Sequence, residues 1–297
     1  MTTSGSSSSR PGDSGPVAPT GVGRTALMVA AARAAESARA DALFVDPYAA
    51  DFLAAAGGEE FAGDADAARM WDSFSSYLPI RTRFFDDYIL DATRTVRQVV
   101  IVAAGLDTRA FRLPLPPEVV VYELDTPEML TFKQRVLDAQ GAQPAGRRVT
   151  VPADLREDWG GRLVAAGFDP SASAAWLVEG LLSYLSPEHN DRLLAGISDR
   201  SAAGSWLSIE YLHVDAVALM AAAVAGEGGS EITAMWQGGG VDEPAQPWLA
   251  RHGWDAEASD TYERATAYHR DLPTLGDTLM ERFAEAARNG LVTARRH

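Results

Sequence analysis

The sequence predicts an α/β fold, in which a doubly wound sheet of mostly parallel strands carries helices on both faces. The first observation is a series of short apolar runs rich in β-branched residues, which are typical of strands buried on both faces of a parallel sheet. The second is that segments with helical spacing separate these runs, because strands that alternate with helices form βαβ units. The predicted strands are 99–103, 119–125, 149–154, 175–178 and 205–211.

Three helical segments precede the first strand and form a predicted N-terminal helical cover over residues 21–95. They run from Thr25 to Ala42, from Asp46 to Gly57 and from Trp71 to Ala92. Because they come before the sheet begins, they are either ordinary core helices or a lid above a ligand. Residues 1–20 are rich in Ser, Gly and Pro and predict a disordered tail, which leaves 21–297 as a single domain.

The overall composition argues against several kinds of partner and site. A net charge of −15 over 297 residues and a pI of about 4.7 argue against nucleic acid or an anionic membrane as a partner. The chain has no cysteine, and its five histidines lack the spacing of metal ligands, so we expect no disulfide and no metal site. No apolar run approaches the length of a membrane span and no signal peptide is evident, so a cytoplasmic protein is expected.

The first predicted strand ends in a turn of small residues, Ala104-Gly105, where the backbone can approach a ligand closely. Nucleotide-like ligands lie at this place in α/β sheets, since backbone N–H groups and a helix start converge there. Neither G-x-G-x-x-G nor the P-loop pattern is present, so nothing forms a cradle for a pyrophosphate. The turn therefore favours a nucleoside ligand without phosphates, and a tight turn without a ligand is the alternative.

An acidic residue, Asp125, ends the second predicted strand. It lies twenty positions after Gly105, where a doubly wound fold places the carboxylate that binds ribose hydroxyls. Two alternatives stay open at this strand. Asp125 could instead cap the helix that Pro127 opens, and Glu123, two residues earlier, is a rival ligand for the ribose.

The third and fourth predicted strands also end near carboxylates. Asp154 could accept a hydrogen bond from an adenine amine while Leu155 covers the ring, or it could simply cap a helix. Glu179 interrupts an apolar run, and a carboxylate buried there without a partner would be costly. Glu179 therefore needs a partner, from the protein or from a ligand.

Beyond Leu212 the alternation of strands and helices becomes less regular. We expect a helix from Val214 to Ala225, a break at 226–229, a short helix ended by Gly253 and a final strand from Leu291 to Ala294. Four aromatic residues of this part either belong to the core or line a substrate pocket: Tyr211, Trp236, Trp248 and Trp254.

Four motifs follow one another at the strand ends: Ala104-Gly-Leu-Asp-Thr-Arg109, Tyr122-Glu-Leu-Asp125, Asp154-Leu-Arg156 and Glu179-Gly-Leu-Leu-Ser-Tyr-Leu185. With them, the chain resembles the leucine carboxyl methyltransferase family from about Thr25 to near its C-terminus. The resemblance is greatest to a bacterial branch of S-adenosyl-L-methionine-dependent methyltransferases that includes polyketide O-methyltransferases. It implies a Rossmann-like methyltransferase sheet, antiparallel strands at the C-terminal end and a helical lid insert at 213–245.

The resemblance also implies S-adenosyl-L-methionine as the cofactor, with S-adenosyl-L-homocysteine as the product. Asp125 would hold the ribose hydroxyls, while Asp154 and Leu155 would hold the adenine. Gly105 would let the backbone approach the cofactor. One departure is that many members have Gly-Ala-Gly where this chain has Ala103-Ala104-Gly105. The methyl group of Ala103 leaves the cofactor less room to approach the backbone, but we do not expect it to abolish binding.

At the methionine end of the cofactor, the resemblance implies that Arg81 pairs with the carboxylate and that Glu179 lies near the ammonium. A planar guanidinium suits bidentate capture of a carboxylate, although a surface ion pair is the commoner use of an arginine. Arg83 is close enough along the chain to be confused with Arg81.

Methyl transfer from a sulfonium needs alignment and exclusion of water more than it needs acid or base. His213 is the base candidate nearest to a strand end, and no His/Asp pair is evident. We therefore expect O-methylation of a carboxylate, which needs no base, or of an acidic hydroxyl, on a small molecule or peptide. The alternatives are a nicotinamide-dependent oxidoreductase, against which the missing glycines count, and a non-catalytic protein that binds the cofactor.

Overall fold

The computed structural model describes residues 19, 21, 23–57, 74–225, 231–273 and 278–297. Several predicted features lie outside these residues. They are the tail except for residue 19, the acidic link around 63–68, the start of the helix predicted from Trp71 and the break predicted at 226–229.

Within the described residues, seven strands form one sheet in the order β3-β2-β1-β4-β5-β7-β6. They are β1 (Gln98–Val102), β2 (Val120–Asp125), β3 (Arg147–Pro152), β4 (Ala174–Val178), β5 (Trp206–Glu210), β6 (Trp254–Ser259) and β7 (Leu291–Arg296). Strands β1 to β5 pair in parallel, whereas β7 runs antiparallel between β5 and β6. This confirms the doubly wound α/β sheet with antiparallel strands at its C-terminal end.

The helices separate these strands as expected. They are α1 (Gly23–Ser37), α2 (Ala49–Ala55), α3 (Tyr77–Ala92), α4 (Arg109–Arg112), α5 (Pro127–Ala139), α6 (Trp159–Ala165), α7 (Pro187–Ser198), α8 (Val214–Val224), α9 (Glu231–Met235), α10 (Ala245–Arg251), α11 (Thr261–Ala267) and α12 (Leu279–Ala286). None of the helices in the described ranges is long and apolar enough to cross a bilayer.

The sheet buries side chains on both faces, and residues alternate between the two along each strand. Val100 and Val102 of β1 belong to a cluster on one face, and Val99 and Ile101 belong to a cluster on the other. The second cluster includes Phe84, Phe85, Tyr88 and Ile89 of α3. The N-terminal helix α3 is therefore packed on the sheet as part of the core.

A further apolar cluster lies outside these two. It joins Met28 of α1, Leu78 of α3, Met220 of α8, Trp236 after α9 and Phe283 of α12. Each of these five side chains lines the large cavity described next, so helices from both ends of the chain cover it.

Candidate active site

A cavity of about 1000 Å³ opens at the carboxyl ends of the parallel strands. Strand β1 lies between β2 and β4, so successive crossovers leave it in opposite directions and a crevice forms where the order reverses. All six residues predicted to bind the cofactor line this one cavity: Arg81, Gly105, Asp125, Asp154, Leu155 and Glu179. Their roles towards the cofactor stay predictions. Five of them lie at or just after the ends of β1 to β4 and meet because these strands are parallel, whereas Arg81 is brought to the cavity by α3, which packs on the sheet.

The turn after β1 adopts backbone conformations that place its amides at the cavity. Gly105 has φ +47° and Ala103 has φ +52°, a left-handed conformation that is uncommon for a residue with a Cβ. The Ala104 N–H donates to the carbonyl of Leu124, 2.9 Å away, which joins the turn to the end of β2. The Gly105 N–H donates to Asp125 Oδ2 at 2.6 Å.

Asp125 is thus held by the backbone on both sides. Its Oδ1 accepts from the Thr126 N–H at 2.7 Å, and burial raises the pKa of the carboxyl above its ordinary value despite these two hydrogen bonds. The alternative of Asp125 as the helix cap is wrong, because the Thr126 side chain caps α5 by accepting from the Met129 N–H. Each carboxylate oxygen keeps capacity for a further donor.

The rival ribose ligand Glu123 is excluded by its surroundings. Its side chain is fully buried, and its Oε2 lies 2.7 Å from Lys133 Nζ and 2.8 Å from Arg148 Nη2. It does not line the cavity.

Asp154 and Leu155 follow β3, two and three residues after its last residue Pro152. The Ala153 N–H donates to the Asp125 carbonyl at 2.9 Å, which fixes this loop beside the end of β2. The Asp154 carboxylate accepts hydrogen bonds from Arg156 Nη2 at 2.6 Å and from the Arg156 N–H at 2.9 Å. The hydrogen bonds from Arg156 lower the pKa of Asp154 to about 2. Leu155 packs at the edge of the core with part of its surface open to the cavity.

Arg81 and Glu179 are buried together. Arg81 Nη1 donates to Glu210 Oε2 at 2.8 Å, and its Nε lies 3.0 Å from Glu179 Oε1, off the direction of a hydrogen bond. Glu179 Oε2 in turn accepts from Arg109 Nη1 at 2.7 Å. Burial favours the neutral form of Glu179, but the two guanidinium groups outweigh it and hold the pKa of Glu179 below its ordinary value. The partner that Glu179 requires is therefore supplied by the protein.

Arg83, the rival of Arg81, forms a partly exposed pair with Asp87 at 2.8 Å instead. It does not line the cavity.

Three further site residues were not singled out from the sequence. Glu210 ends β5 and accepts from Arg81, from the Gly180 N–H at 2.8 Å and from the Tyr77 hydroxyl at 2.9 Å. Arg109 is buried among Asp86, Asp107 and Glu179 beneath the cavity. Glu210 carries the same signal as Glu179, a carboxylate in an apolar strand, whereas Tyr77 carries no sequence signal that we recognise.

For three of the four aromatic residues of the C-terminal part, the structure supports the alternative of core packing rather than a substrate pocket. Trp248 and Trp254 are almost fully buried in the core beneath the sheet, and the Tyr211 hydroxyl donates to the Glu243 carbonyl away from the cavity. Trp236 alone of the four lines the cavity. His213 caps α8 by accepting from the Asp215 N–H and also lies outside the cavity lining.

No cluster of three or more His, Cys, Asp or Glu side chains suited to a metal ion occurs among the residues that the structure describes.

Comparison with known sequences gives a consistent set of matches. The leucine carboxyl methyltransferase family matches residues 26–198. A relative from Mycobacterium sp. (strain KMS) is 42% identical over 271 residues, which cover 86% of this chain and 89% of that protein. A relative from Frankia alni is 48% identical over 238 residues, which cover 80% of this chain and 84% of that protein. Both names begin with "Putative S-adenosyl-L-methionine-dependent methyltransferase".

Solved structures share the fold at low sequence identity. A duf574 family protein from Streptomyces avermitilis has a TM-score of 0.57 at 17% identity, over 92% of this chain and 97% of that chain. A "putative methyltransferase" from Thermobifida fusca has a TM-score of 0.50 at 18% identity, over 78% of this chain and 86% of that chain. At such identities these likenesses concern the fold alone.

Proposed function

The chain belongs to the leucine carboxyl methyltransferase family and is an S-adenosyl-L-methionine-dependent methyltransferase, and from this premise we propose that it methylates an oxygen atom. The acceptor atom belongs to a carboxylate or an acidic hydroxyl on a small molecule or peptide. The observation that carries the proposal is that the cavity lined by the six predicted cofactor ligands has no histidine among its described lining residues, which favours an acceptor oxygen that needs no strong base.

The polar edge of this cavity fits the adenosine part of the cofactor. The Asp125 carboxylate is fixed by the Gly105 and Thr126 N–H groups and can accept two more donors, which matches a ribose diol. Asp154 accepts hydrogen bonds from Arg156 and has lone pairs left for an exocyclic amine, with Leu155 as an apolar surface for the ring.

Arg81 and Glu179 fit the amino-acid part. Within the described residues no hydrogen bond engages Arg81 Nη2, so this nitrogen is free to donate to a carboxylate. Glu179 is kept ionised by Arg109 and Arg81 and so provides a negative charge for an ammonium group. The chain thus offers one complementary charge to each end of an amino acid.

The bound cofactor supplies an activated methyl group, and the residues of this chain align the reacting groups and keep water out of the cavity. Apolar side chains of α1, α3, α8 and α12 surround the cavity and exclude water. No histidine lies among the described lining residues. This favours an acceptor oxygen that is already ionised or that ionises readily, since such an atom needs little help from a base.

The test is to supply S-adenosyl-L-methionine with a deuterated methyl group to a panel of carboxylic acids, phenols and amines. We expect a mass increase on carboxylic acids or phenols. Mild alkali then distinguishes the two products, because it cleaves methyl esters and leaves aryl ethers intact. Label found on nitrogen or carbon alone would contradict O-methylation, and an Asp125→Ala variant serves as the control with weakened cofactor binding.

A further inference from the structure

The cavity has two chemically different ends. The strand edge carries the charged residues described above, whereas the opposite side is formed by buried apolar side chains from several helices. We call this side the apolar end; its members are Phe74, Leu78, Leu212, Met220, Trp236 and Phe283. An aromatic pair with ring centroids 5.8 Å apart, Phe74 with Phe283, closes part of it.

The described residues lining this end offer no available positive charge. Arg81, which borders it, is paired with Glu179 and Glu210, and its remaining nitrogen, Nη2, is the one we propose for the carboxylate of the cofactor. Arg33 donates to Asp46 at 2.7 Å and to the Leu106 carbonyl at 2.7 Å. An anion placed at the apolar end would therefore lose its hydration without gaining a cation, which is costly.

The other lining arginines belong to the strand edge. Arg135 lies on α5 and Arg156 follows β3, on the side of Asp125 and Asp154. Neither belongs to the apolar cluster.

Tyr77 and Glu210 form a polar pair between the charged strand edge and the apolar end. The Tyr77 hydroxyl donates to Glu210 Oε1 at 2.9 Å, and Tyr77 also packs against the apolar cluster. Glu210 is fixed from the strand edge by Arg81 and the Gly180 N–H. Burial and the adjacent carboxylate raise the pKa of Tyr77 well above its ordinary value, so the hydroxyl stays protonated. With its proton directed at Glu210, the Tyr77 oxygen has lone pairs left to accept a hydrogen bond.

We propose that the methyl acceptor is an apolar, uncharged molecule that donates its hydroxyl to the Tyr77 oxygen, with Glu210 as the positioning residue that sets the direction of the Tyr77 proton. As the acceptor oxygen takes the methyl group, the sulfonium keeps the electron pair of the broken bond and becomes a thioether. The hydroxyl proton then passes to the Tyr77 oxygen while the Tyr77 proton passes to Glu210 Oε1. This inference rests on the proposed O-methylation and narrows its acceptor from carboxylates and hydroxyls to phenol-like hydroxyls. Tyr77 selects a hydroxyl that can donate, and the apolar end selects against charge.

The test measures binding by calorimetry to protein saturated with S-adenosyl-L-homocysteine. The probes share one apolar body: para-phenylphenol carries a hydroxyl, para-fluorobiphenyl has a similar shape without a donor, and para-phenylbenzoate carries a charge. We expect para-phenylphenol to bind about five- to tenfold more tightly than para-fluorobiphenyl, the effect of one hydrogen bond. We expect para-phenylbenzoate to bind more than about tenfold more weakly than para-phenylphenol.

Three variants locate the effect. Tyr77→Phe should remove the advantage of para-phenylphenol over para-fluorobiphenyl and leave the affinity for para-fluorobiphenyl within about twofold of wild type. Tyr268→Phe is the matched control: its hydroxyl donates to Asp87 at 3.0 Å outside the cavity lining, so all three affinities should be unchanged. Phe283→Ala should weaken all three probes together, as expected for a shared apolar wall.

Equal or tighter binding of para-phenylbenzoate, an unchanged preference in Tyr77→Phe, or failure of all three probes to bind would each overturn the inference. These outcomes leave O-methylation standing, because the position of the deuterated methyl group is measured separately. Label on nitrogen or carbon alone would instead overturn the proposed function, whichever probe binds.

Discussion

Asp125→Ala is the substitution that most directly probes the proposed cofactor site. The carboxylate accepts two backbone N–H groups, from Gly105 at 2.6 Å and from Thr126 at 2.7 Å, and we propose that it accepts both ribose hydroxyls as well. A hydrogen bond to a charged group contributes roughly 1.5–3 kcal/mol, so losing two of them should cost about 3–6 kcal/mol of binding free energy. This corresponds to a loss of affinity of about a hundredfold to ten-thousandfold.

The assay is titration calorimetry with S-adenosyl-L-homocysteine. Asp138→Ala is a suitable control, because Asp138 lies exposed on α5, the helix that follows Asp125, and outside the cavity lining. Its affinity should match wild type. Thermal unfolding of both variants establishes that they are folded. An Asp125→Ala protein that is folded and binds within about threefold of wild type would refute the assignment of the ribose to this carboxylate.

Three further outcomes follow from the same geometry. Burial raises the pKa of Asp125 above its ordinary value of 3.8, so the affinity for S-adenosyl-L-homocysteine should fall as the pH drops from neutrality towards that raised pKa. The reason is that the protonated carboxyl is a neutral and weaker acceptor. Calorimetry at a series of pH values checks this, and a rise in affinity would contradict it. Arg81→Met leaves two buried carboxylates without their shared cation and should lower the free energy of unfolding in urea by about 3–5 kcal/mol. The partly exposed Arg83→Met should cost only about 0–1 kcal/mol, and equal losses would contradict the burial argument. Ala103→Gly should leave the free energy of unfolding unchanged or raise it by about 1 kcal/mol, since φ +52° strains an alanine; a loss above about 1 kcal/mol in urea unfolding would contradict that strain.

The sequence predicts the central strands well because they are buried on both faces. Runs such as 99–102 and 174–178 are apolar throughout, and in the structure every residue of both runs is buried. Strand β6, Trp254–Ser259, was not predicted because it lies at the sheet edge. Its residues after Trp254 are small or polar and partly exposed, so pairing with β7 rather than residue type determines its conformation.

The residues of the candidate site also fall into two groups, those that the sequence predicts and those that it does not. Residues at strand ends follow from topology, since parallel strands bring their carboxyl ends to one edge, and this is why Asp125, Asp154 and Glu179 could be grouped before the structure was known. Partners across the fold could not be predicted. Tyr77 and Glu210 lie 133 positions apart in sequence, and only tertiary packing brings them together.

Neighbouring residues of similar chemistry are also hard to rank from the sequence. Thr126 rather than Asp125 caps α5, which leaves the aspartate available to the cavity. Trp236, Trp248 and Trp254 are equally aromatic, yet only the first lines the cavity. Trp248 and Trp254 pack on the sheet, whereas Trp236 packs among the helices that cover the cavity. Periodicity does not encode this difference for short segments joined by glycine-rich turns.

A crystal structure with bound S-adenosyl-L-homocysteine is the most direct test of the proposal that the strand edge binds the cofactor. We predict the ribose hydroxyls within about 3 Å of the Asp125 carboxylate, the adenine beside Asp154 and Leu155, and the amino-acid end against Arg81 and Glu179. Density for the ligand elsewhere, or in this cavity without contact to Asp125 and Asp154, would contradict it.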